Sequence, residues 1–359
     1  MGRAESRLAA VRGLLAPAKI DALVVSRIEN VRYVSGFTGS SAALLITESS
    51  SILITDSRYA EQSAAEASCF QIEVVGGTPA IAGARRAEAV RVGFEAEAVA
   101  FDVWESMRAV VQDKAGGVLV PCRGLIEGLR IIKDPEELAL IQRAVDITSE
   151  AFEQTLPLVG PGAIERDLAL EIEFRMKQAG AEELAFDLIV ASGPRSSLPH
   201  GRAADRRLGQ GEFVVFDIGA RFRGYHSDMT RTVYTGRPDQ KATTIYQTVL
   251  EAQRLGIESV RPGITANDVD AAARGYIERT GHAGRFGHGT GHGVGLQIHE
   301  APRVGPRSEE ILQAGMVLTV EPGIYIPGEG GVRIEDIVVV TETGHRVMTP
   351  TRKDRWALE

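Results

Sequence analysis

Four acidic residues in the second half of the chain stand beside runs of apolar, strand-like residues. Asp217 lies in the stretch FVVFDIG (213–219), and similar contexts surround Asp228, Glu321 and Glu335. A single aspartate in such a place is most simply a turn residue or half of a salt bridge, but an unpaired charge on a buried strand is costly. Four converging carboxylates would also repel one another and raise their pKa values. A fold that gathers them therefore needs positive charge between them, which two metal ions would supply.

Size and composition narrow the class of protein. The 359 residues exceed a typical single domain and fit two, and 44% of them are hydrophobic, enough for sizeable cores. The net charge is -8, and acidic and basic residues are interspersed along the chain without a basic stripe, so the sequence does not predict a nucleic-acid partner. Cys69 and Cys122 share no short motif, which favours a reducing compartment. Without an apolar run of about 18 residues, we expect no membrane span and a cytoplasmic location.

The first 130 residues alternate between helical and strand-like patterns, which predicts a layered α/β domain. The pattern favours a helix over 6–17 and another from about Arg58, with strands over 22–26, 42–47, 51–56, 91–95 and 116–121. Asp56, Arg58 and Tyr59 form a polar group, but a strand end followed by a helix start explains it. We therefore predict a smaller N-terminal domain, 1–130, without chemistry of its own.

A helix start marks the second domain, 131–359. In RIIKDPEELALIQRAV, Asp134 is a candidate N-cap and Pro135 the first helical residue, with Glu136 and Glu137 in the first turn. Further helices are predicted at about 163–178, 239–258 and 266–279, and strands at 186–192, 213–219 and within 225–235. The stretches VLTVEPGIYI and VRIEDIVVV are predicted to pair across the turn GEGG (328–331).

Six of the seven histidines fall between positions 200 and 299, so core packing explains them poorly as a group. His288 and His292 have the i, i+4 spacing of helical zinc sites, but the glycines at 287, 289, 291, 293 and 295 make a helix expensive. We predict a loop and a strand. The run GTGHGVG also lacks the spacing of a dinucleotide-binding loop. Close approach of the backbone to a substrate explains the glycines better.

Five short sequence motifs resemble those of a known family: FDIGA, HSDMTRT, HGTGHGVGLQIHE, VEPGIYI and VRIED. With them the chain resembles the Xaa-Pro peptidases, the group that contains prolidase and aminopeptidase P. The resemblance implies an α+β protein whose catalytic domain has the pita-bread fold shared with creatinase and methionine aminopeptidase. It also implies two divalent metal ions, with Asp217 chelating one, His292 and Glu321 binding the other, and Asp228 and Glu335 bridging both.

Four carboxylates and one imidazole are harder ligands than the thiolates and imidazoles of a structural zinc site, so the set favours Mn²⁺, with Co²⁺ or Zn²⁺ as alternatives. The resemblance also implies substrate-binding roles for His200 and His299, a substrate-facing His288, and Glu321 as proton shuttle. Arg333 is two residues before Glu335 on a predicted strand, so it should point to the same face, where it could hold a bridging carboxylate or a substrate carboxylate; a supporting salt bridge is the simpler interpretation. Tyr225 and His226 are interpreted as structural.

The implied reaction is hydrolysis of the bond before proline by a metal-bridging water. A dipeptidase (prolidase) would recognise the free carboxylate of the substrate, whereas an aminopeptidase acting on longer peptides would leave that end open. The compact N-terminal domain favours prolidase by analogy. A creatinase-like hydrolase or a peptidase-like binding module would have lost several acidic ligands, but all five ligands are present. We expect small proline-containing peptides as substrates and a homodimer.

Overall fold

A computed structural model describes residues 2–358 of the chain. The chain divides into two compact units, Met1–Arg130 and Ile131–Glu359. Within the described residues, no helix is both long and apolar enough to cross a membrane.

The first unit is built on one six-stranded mixed sheet, in the order β4-β3-β2-β1-β5-β6. Buried residues of the sheet pack against α4 and α5, including Val24, Ile54 and Val92. Asp56 accepts a hydrogen bond from the backbone of Arg58 at a single 3₁₀ turn, so this polar group is a strand end and helix start, as predicted. The helices are α1 Arg3–Leu15, α2 Ile28–Ser35, α3 Ala60–Glu66, α4 Pro79–Arg86, α5 Phe101–Gln112 and α6 Leu125–Arg130; the strands are β1 Ala22–Val25, β2 Ala42–Thr47, β3 Ser51–Thr55, β4 Gln71–Val74, β5 Arg91–Glu95 and β6 Val118–Cys122.

The second unit contains two larger sheets, ordered β20-β12-β9-β8 and β14-β13-β15-β18-β19, and two small ones, β11-β10-β7 and β16-β17. Its helices are α7 Pro135–Thr155, α8 Glu165–Gln178, α9 Gln240–Ser259 and α10 Ala266–Ile277. Its strands are β7 Glu183–Leu184, β8 Ile189–Ser192, β9 Phe213–Ile218, β10 Ala220–Phe222, β11 Tyr225–His226, β12 Met229–Thr235, β13 Gly291–Gly293, β14 Glu300–Val304, β15 Val317–Val320, β16 Gly323–Ile326, β17 Gly330–Arg333, β18 Asp336–Val340, β19 His345–Val347 and β20 Ala357–Leu358.

The start of α7 follows its sequence closely. Asp134 accepts a hydrogen bond from the Glu137 backbone at 2.9 Å, and the Glu137 side chain accepts one from the Asp134 backbone at 3.0 Å. This capping box satisfies two helix-end donors, and a cap of this kind stabilises a helix by about 1 kcal/mol. Glu137 also accepts a hydrogen bond from the hydroxyl of Tyr225, so that tyrosine serves to anchor the helix start to β11.

The two long strands predicted near the C-terminal end are each broken at an acidic residue. Strand β15 pairs with β18 and β16 pairs with β17, so Glu321 lies in the break between β15 and β16. Glu335 lies in the corresponding break between β17 and β18. Pro322 has no N–H to donate to a ladder, which helps to end β15. The predicted pairing of the two stretches across the turn is confirmed, because β15–β18 and β16–β17 share one register, and the breaks turn both acids away from regular strand pairing.

Candidate metal centre and substrate cavity

The five predicted ligands are brought to one cavity from five different places in the second unit. Asp217 lies near the end of β9, opposite Thr230 of β12, and Asp228 immediately precedes β12. His292 is the middle residue of β13. Together with Glu321 and Glu335 at the two strand breaks, they line a cavity of about 890 Å³. The structure thus gathers all five residues, although they span more than a hundred positions of sequence.

The distances among these side chains suit a shared cation. His292 Nε2 lies 3.5 Å from Asp228 Oδ2 and 3.5 Å from Glu321 Oε1. One donor atom each of Asp228, His292 and Glu335 lies within 4.8 Å of the other two. His292 Nδ1 is 3.1 Å from the carbonyl oxygen of Gly293, which fixes the proton on Nδ1 and leaves the Nε2 lone pair facing the acids.

Two threonines orient the carboxylates from behind. The hydroxyl of Thr230, which is fully buried, donates to Glu335 Oε2 at 2.7 Å. The hydroxyl of Thr319 donates to Glu321 Oε1 at 3.3 Å and accepts the backbone N–H of His292 at 3.1 Å. These bonds restrict the carboxylate rotamers before any ion arrives.

The electrostatics of the cluster show that it is built for more positive charge than the protein supplies. Burial raises the pKa of Glu321 to about 8. Burial, followed by repulsion from neighbouring acids, raises the pKa of Asp228 and Glu335 well above the ordinary range. One buried oxygen of Asp217 and one of Glu335 have no hydrogen-bond partner. Buried, mutually repelling carboxylates with vacant lone pairs fit a centre that holds divalent cations.

Arg333 supplies the one direct salt bridge to this cluster from an arginine or lysine among the described residues. Its guanidinium donates to Asp217 Oδ2 at 2.6 Å, to the hydroxyl of Thr230 at 3.1 Å and to the hydroxyl of Tyr325 at 2.9 Å. Arg333 and Glu335 face the same side, as predicted, since both bond the hydroxyl of Thr230 and both line the cavity, but they form no direct ion pair with each other. The simpler interpretation, a supporting salt bridge, describes what is seen, and little of the guanidinium is left for a substrate.

Three further histidines line the same cavity: His200, His288 and His299. The rings of His299 and His292 make an edge-to-face contact with centroids 4.2 Å apart. Burial lowers the pKa of His299 and lowers that of His288 to about 4, so both are neutral at pH 7. Both nitrogens of His288 are engaged, one with the Gly289 carbonyl at 2.8 Å and one with the Tyr325 hydroxyl at 2.7 Å.

The loop that carries His200 is held by Glu165, a fully buried residue at the start of α8. Its carboxylate accepts hydrogen bonds from the Ser192 backbone at 2.8 Å, before the loop, and from the Ala204 backbone at 3.1 Å, after it. It also forms an ion pair with Arg195 inside the loop. His200 itself is exposed at the cavity.

Two residues of the site were not identified from the sequence: Arg303, which lines the cavity, and Tyr325, which bonds two cavity residues. Tyr325 connects His288 to Arg333, and its only sequence signal is its place in VEPGIYI. Arg303 stands opposite His292 in the antiparallel β13–β14 pair, so both side chains project from the same face. Within residues 2–358, no acidic group lies within salt-bridge distance of Arg303. Only the strand register reveals this free cation, because nothing in the sequence fixes how β13 and β14 pair.

The described features agree with comparisons to known proteins. Residues 139–342 match the model of metallopeptidase family M24, and residues 7–132 match the creatinase/prolidase N-terminal domain. The uncharacterized peptidase YqhT of Bacillus subtilis is 42% identical over 351 residues, covering 97% of this chain and 99% of that protein.

Solved structures are similar over the whole length. An Xaa-Pro dipeptidase from Bacillus anthracis is 39% identical with a TM-score of 0.95, over 99% of this chain and 100% of that chain. An X-Pro aminopeptidase from Thermotoga maritima is 34% identical with a TM-score of 0.88, over 97% and 99% of the two chains. The predicted α+β pita-bread fold with a smaller α/β N-terminal domain is thereby confirmed. The chain belongs to metallopeptidase family M24, with a creatinase/prolidase N-terminal domain preceding the catalytic domain.

Proposed function

We propose that this protein is an Xaa-Pro dipeptidase that hydrolyses the bond before proline in small peptides. The observation that carries the proposal is a buried acidic cluster, unsatisfied in its lone pairs, that opens onto a cavity with neutral histidines and a free arginine. The similarity to the Xaa-Pro dipeptidase from Bacillus anthracis supports the same substrate class. Metal-free creatinase-like chemistry and a pure binding role fit poorly, because the full ligand set is present.

The centre would be formed by the five residues gathered at the cavity. Asp217 would hold one ion, His292 and Glu321 the other, and Asp228 and Glu335 both. Bound there, divalent cations would polarise the scissile carbonyl and supply a water acidic enough to attack it. Glu321 would shuttle a proton toward the leaving proline nitrogen. Mn²⁺ is the proposed ion, with Co²⁺ and Zn²⁺ as alternatives, because the set is dominated by carboxylate oxygen.

The cavity histidines would stabilise charge that develops on the substrate. His200 and His299 are exposed to the cavity and can each donate an N–H toward the carbonyl oxygen, where negative charge appears during attack. His288 contributes differently, since both of its nitrogens are already bonded within the protein. It would form a fixed wall of the site, with Arg333 holding Asp217 in place behind it.

Arg303 favours dipeptides over longer substrates. A substrate that ends in proline presents a free carboxylate near the scissile bond, and a free guanidinium on the same strand face as His292 can bind it. The apolar wall formed by Phe186, Ile189 and Pro199 would accommodate the proline ring. The alternative is an Xaa-Pro aminopeptidase, which the similarity to the Thermotoga maritima enzyme supports.

Hydrolysis rates on an Xaa-Pro dipeptide and on the matching tripeptide, with Mn²⁺-loaded protein, separate these two functions. Preference for the dipeptide supports the proposal, and preference for the tripeptide favours the aminopeptidase. Asp228→Asn and Glu321→Gln should each abolish hydrolysis and lower metal content while circular dichroism stays unchanged. Glu258→Gln, which removes a surface acid on α9, is the matched control. Full activity in either site variant would refute the assigned centre.

The location, the oligomeric state and the cellular role are proposed from the sequence and the family resemblance. We expect a cytoplasmic homodimer that acts in the recycling of proline from peptides. Light scattering on the purified protein measures the oligomeric state directly.

A further inference from the structure

The segment Phe286–Thr290 places His288 at the cavity, but it has few side chains of its own to hold it. Two of its five residues are glycines, and a side chain at Gly287 would contact nothing within 4 Å. Glycine gives the backbone extra freedom in the unfolded state and does not restrict the folded one. Something outside the segment must therefore hold it.

Arg274, in the last turn of α10, makes two hydrogen bonds to the backbone of this segment. Its guanidinium donates to the carbonyl oxygen of Phe286 at 2.7 Å and to that of His288 at 2.6 Å. The same guanidinium lies over the Phe286 ring, 4.1 Å from the centroid. One planar group thus fixes two carbonyls and a ring on either side of Gly287.

Asp270, one turn earlier on α10, completes the arrangement. Its carboxylate, which is almost fully buried, accepts two hydrogen bonds from Arg274, both at 2.8 Å. It also accepts the hydroxyl of Thr290 at 2.7 Å and the Thr290 backbone N–H at 3.2 Å. The carbonyl of Thr290 then accepts the backbone N–H of Glu321 at 2.8 Å. A chain of hydrogen bonds therefore runs from α10 through the glycine segment to a proposed metal ligand.

An ion pair that served only the helix would not need this geometry. Pairs at i, i+4 contribute little to the stability of an isolated helix and require no further acceptors. Here the guanidinium also binds two carbonyls outside the helix, and the carboxylate binds both donors of Thr290. By contrast, Arg254 on α9 pairs with Glu251 and Glu258 of its own helix.

We propose that Asp270 and Arg274 are positioning residues that hold His288 in place at the cavity by fixing the carbonyls of residues 286 and 288 and the backbone of Thr290. The inference rests on the proposed function, since it assigns His288 a part in substrate turnover. Neither residue touches the cavity; they act through the glycine segment. We call Asp270 and Arg274 together the clamp. A misplacement of about 1 Å at a catalytic site can reduce turnover about a hundredfold, so loss of the clamp should have a measurable effect on kcat.

The kinetic test is a double-mutant cycle on Mn²⁺-loaded protein with an Xaa-Pro dipeptide. Arg274→Gln should lower kcat at least about tenfold with KM changed less than about threefold, and Arg274→Lys should recover part of the loss. In a His288→Ala background, Arg274→Gln should lower kcat much less than in the wild type, because the part of its effect that passes through the His288 ring is gone and only the path through Thr290 to Glu321 remains. Arg254→Gln is the matched control and should match the wild type.

Two kinetic outcomes overturn the inference. Equal losses from Arg274→Gln in both backgrounds would mean general damage to the unit, and an unchanged kcat would mean that no clamp is needed. If Arg274→Gln does not fold, Thr290→Val removes a single hydroxyl of the same network at nearly constant volume. It should give a smaller loss of kcat that Thr290→Ser restores, and a wild-type kcat in Thr290→Val would count against the clamp.

Hydrogen exchange tests the clamp without any substrate. In Arg274→Gln, peptides that cover residues 286–291 should exchange at least about tenfold faster than in the wild type, while peptides from α9 keep their rates. Unchanged exchange in this segment would overturn the clamp itself. If exchange accelerates but the wild-type protein does not cleave Xaa-Pro peptides, the proposed function fails and the clamp stands.

Discussion

Metal-free protein should lose stability as pH rises from 6.5 to 8, because buried carboxylates of the metal centre must ionise without a counter-ion. The pKa of Glu321 is raised to about 8 from 4.5. In this window the unfolded chain has already released that proton and the folded chain still holds it, so the free energy of unfolding falls as pH rises. The cavity histidines act in the opposite sense, since the pKa of His288 and of His292 is lowered from 6.5 to about 4. Between pH 6.5 and pH 8 each of them adds about 0.4 kcal/mol, and their contribution is complete by about pH 8.

The magnitude follows from the pKa of Glu321 alone. With 1.36 kcal/mol per pH unit for one proton, the loss between pH 6.5 and pH 8 is about 1.6 kcal/mol, allowing for half-ionisation at pH 8. Asp228 and Glu335 have raised pKa values and act in the same direction. The two histidines offset about 0.8 kcal/mol of the loss, so the expected net loss is about 1 kcal/mol or more. A divalent cation should remove it by keeping the carboxylates ionised and paired.

The assay is urea unfolding of chelator-treated protein at several pH values, with and without Mn²⁺. Trp356 stacks on Tyr246 in the core of the second unit, with ring centroids 4.1 Å apart, so its fluorescence reports on that unit. Trp104→Phe removes the other tryptophan, which lies in the first unit. Glu321→Gln should remove the part of the slope that this carboxyl contributes and leave the part due to Asp228 and Glu335. A metal-free wild type whose stability is constant or rising from pH 6.5 to 8, or a Glu321→Gln variant with the wild-type slope, would refute the reasoning.

Three further results are expected. Gly291→Ala should prevent folding or lower the free energy of unfolding by several kcal/mol, since its Cβ would lie 2.0 Å from the Thr319 carbonyl oxygen. Gly287→Ala has open space around it and should be tolerated. Thermal unfolding of the two variants measures the difference. Asp134→Ala should lower the free energy of unfolding by about 1 kcal/mol without changing kcat, as measured by denaturation and steady-state kinetics. Arg303→Ala should raise KM for a dipeptide at least about tenfold but leave a C-terminally amidated substrate nearly unchanged; equal effects on both would exclude carboxylate binding.

The sequence was sufficient to predict those backbone features that are determined by residues close together along the chain. The start of α7 is predicted because Asp134, Pro135 and Glu137 form a complete capping signal within four residues. The glycine spacing around His288 likewise excludes a helix, and the structure has a loop followed by the short strand β13. In these cases the neighbouring residues decide the backbone conformation.

Features that depend on register or on the breaking of strands were missed. The two stretches keep one register on both sides of the breaks at Glu321 and Glu335, and apart from Pro322 nothing local in the sequence indicates these breaks. The i, i+2 argument correctly places Arg333 and Glu335 on one side, but the ion-pair partner of Arg333 is Asp217, 116 positions away. Such contacts are set by how distant strands align, which a single sequence does not display.

The strand breaks also link metal affinity to folding. Asp217 and Asp228 belong to the β9–β12 pair, while Glu321 and Glu335 belong to the strands from β15 to β18. Thr230 of the first pair bonds Glu335 of the second, through its hydroxyl and through its carbonyl. A cation held by both pairs would act as a cross-link that exists only when they are docked. Each ion that binds would therefore stabilise the assembled unit by an amount that grows with the logarithm of its concentration, so scarcity of metal in a cell would show as loss of folded protein as well as loss of activity.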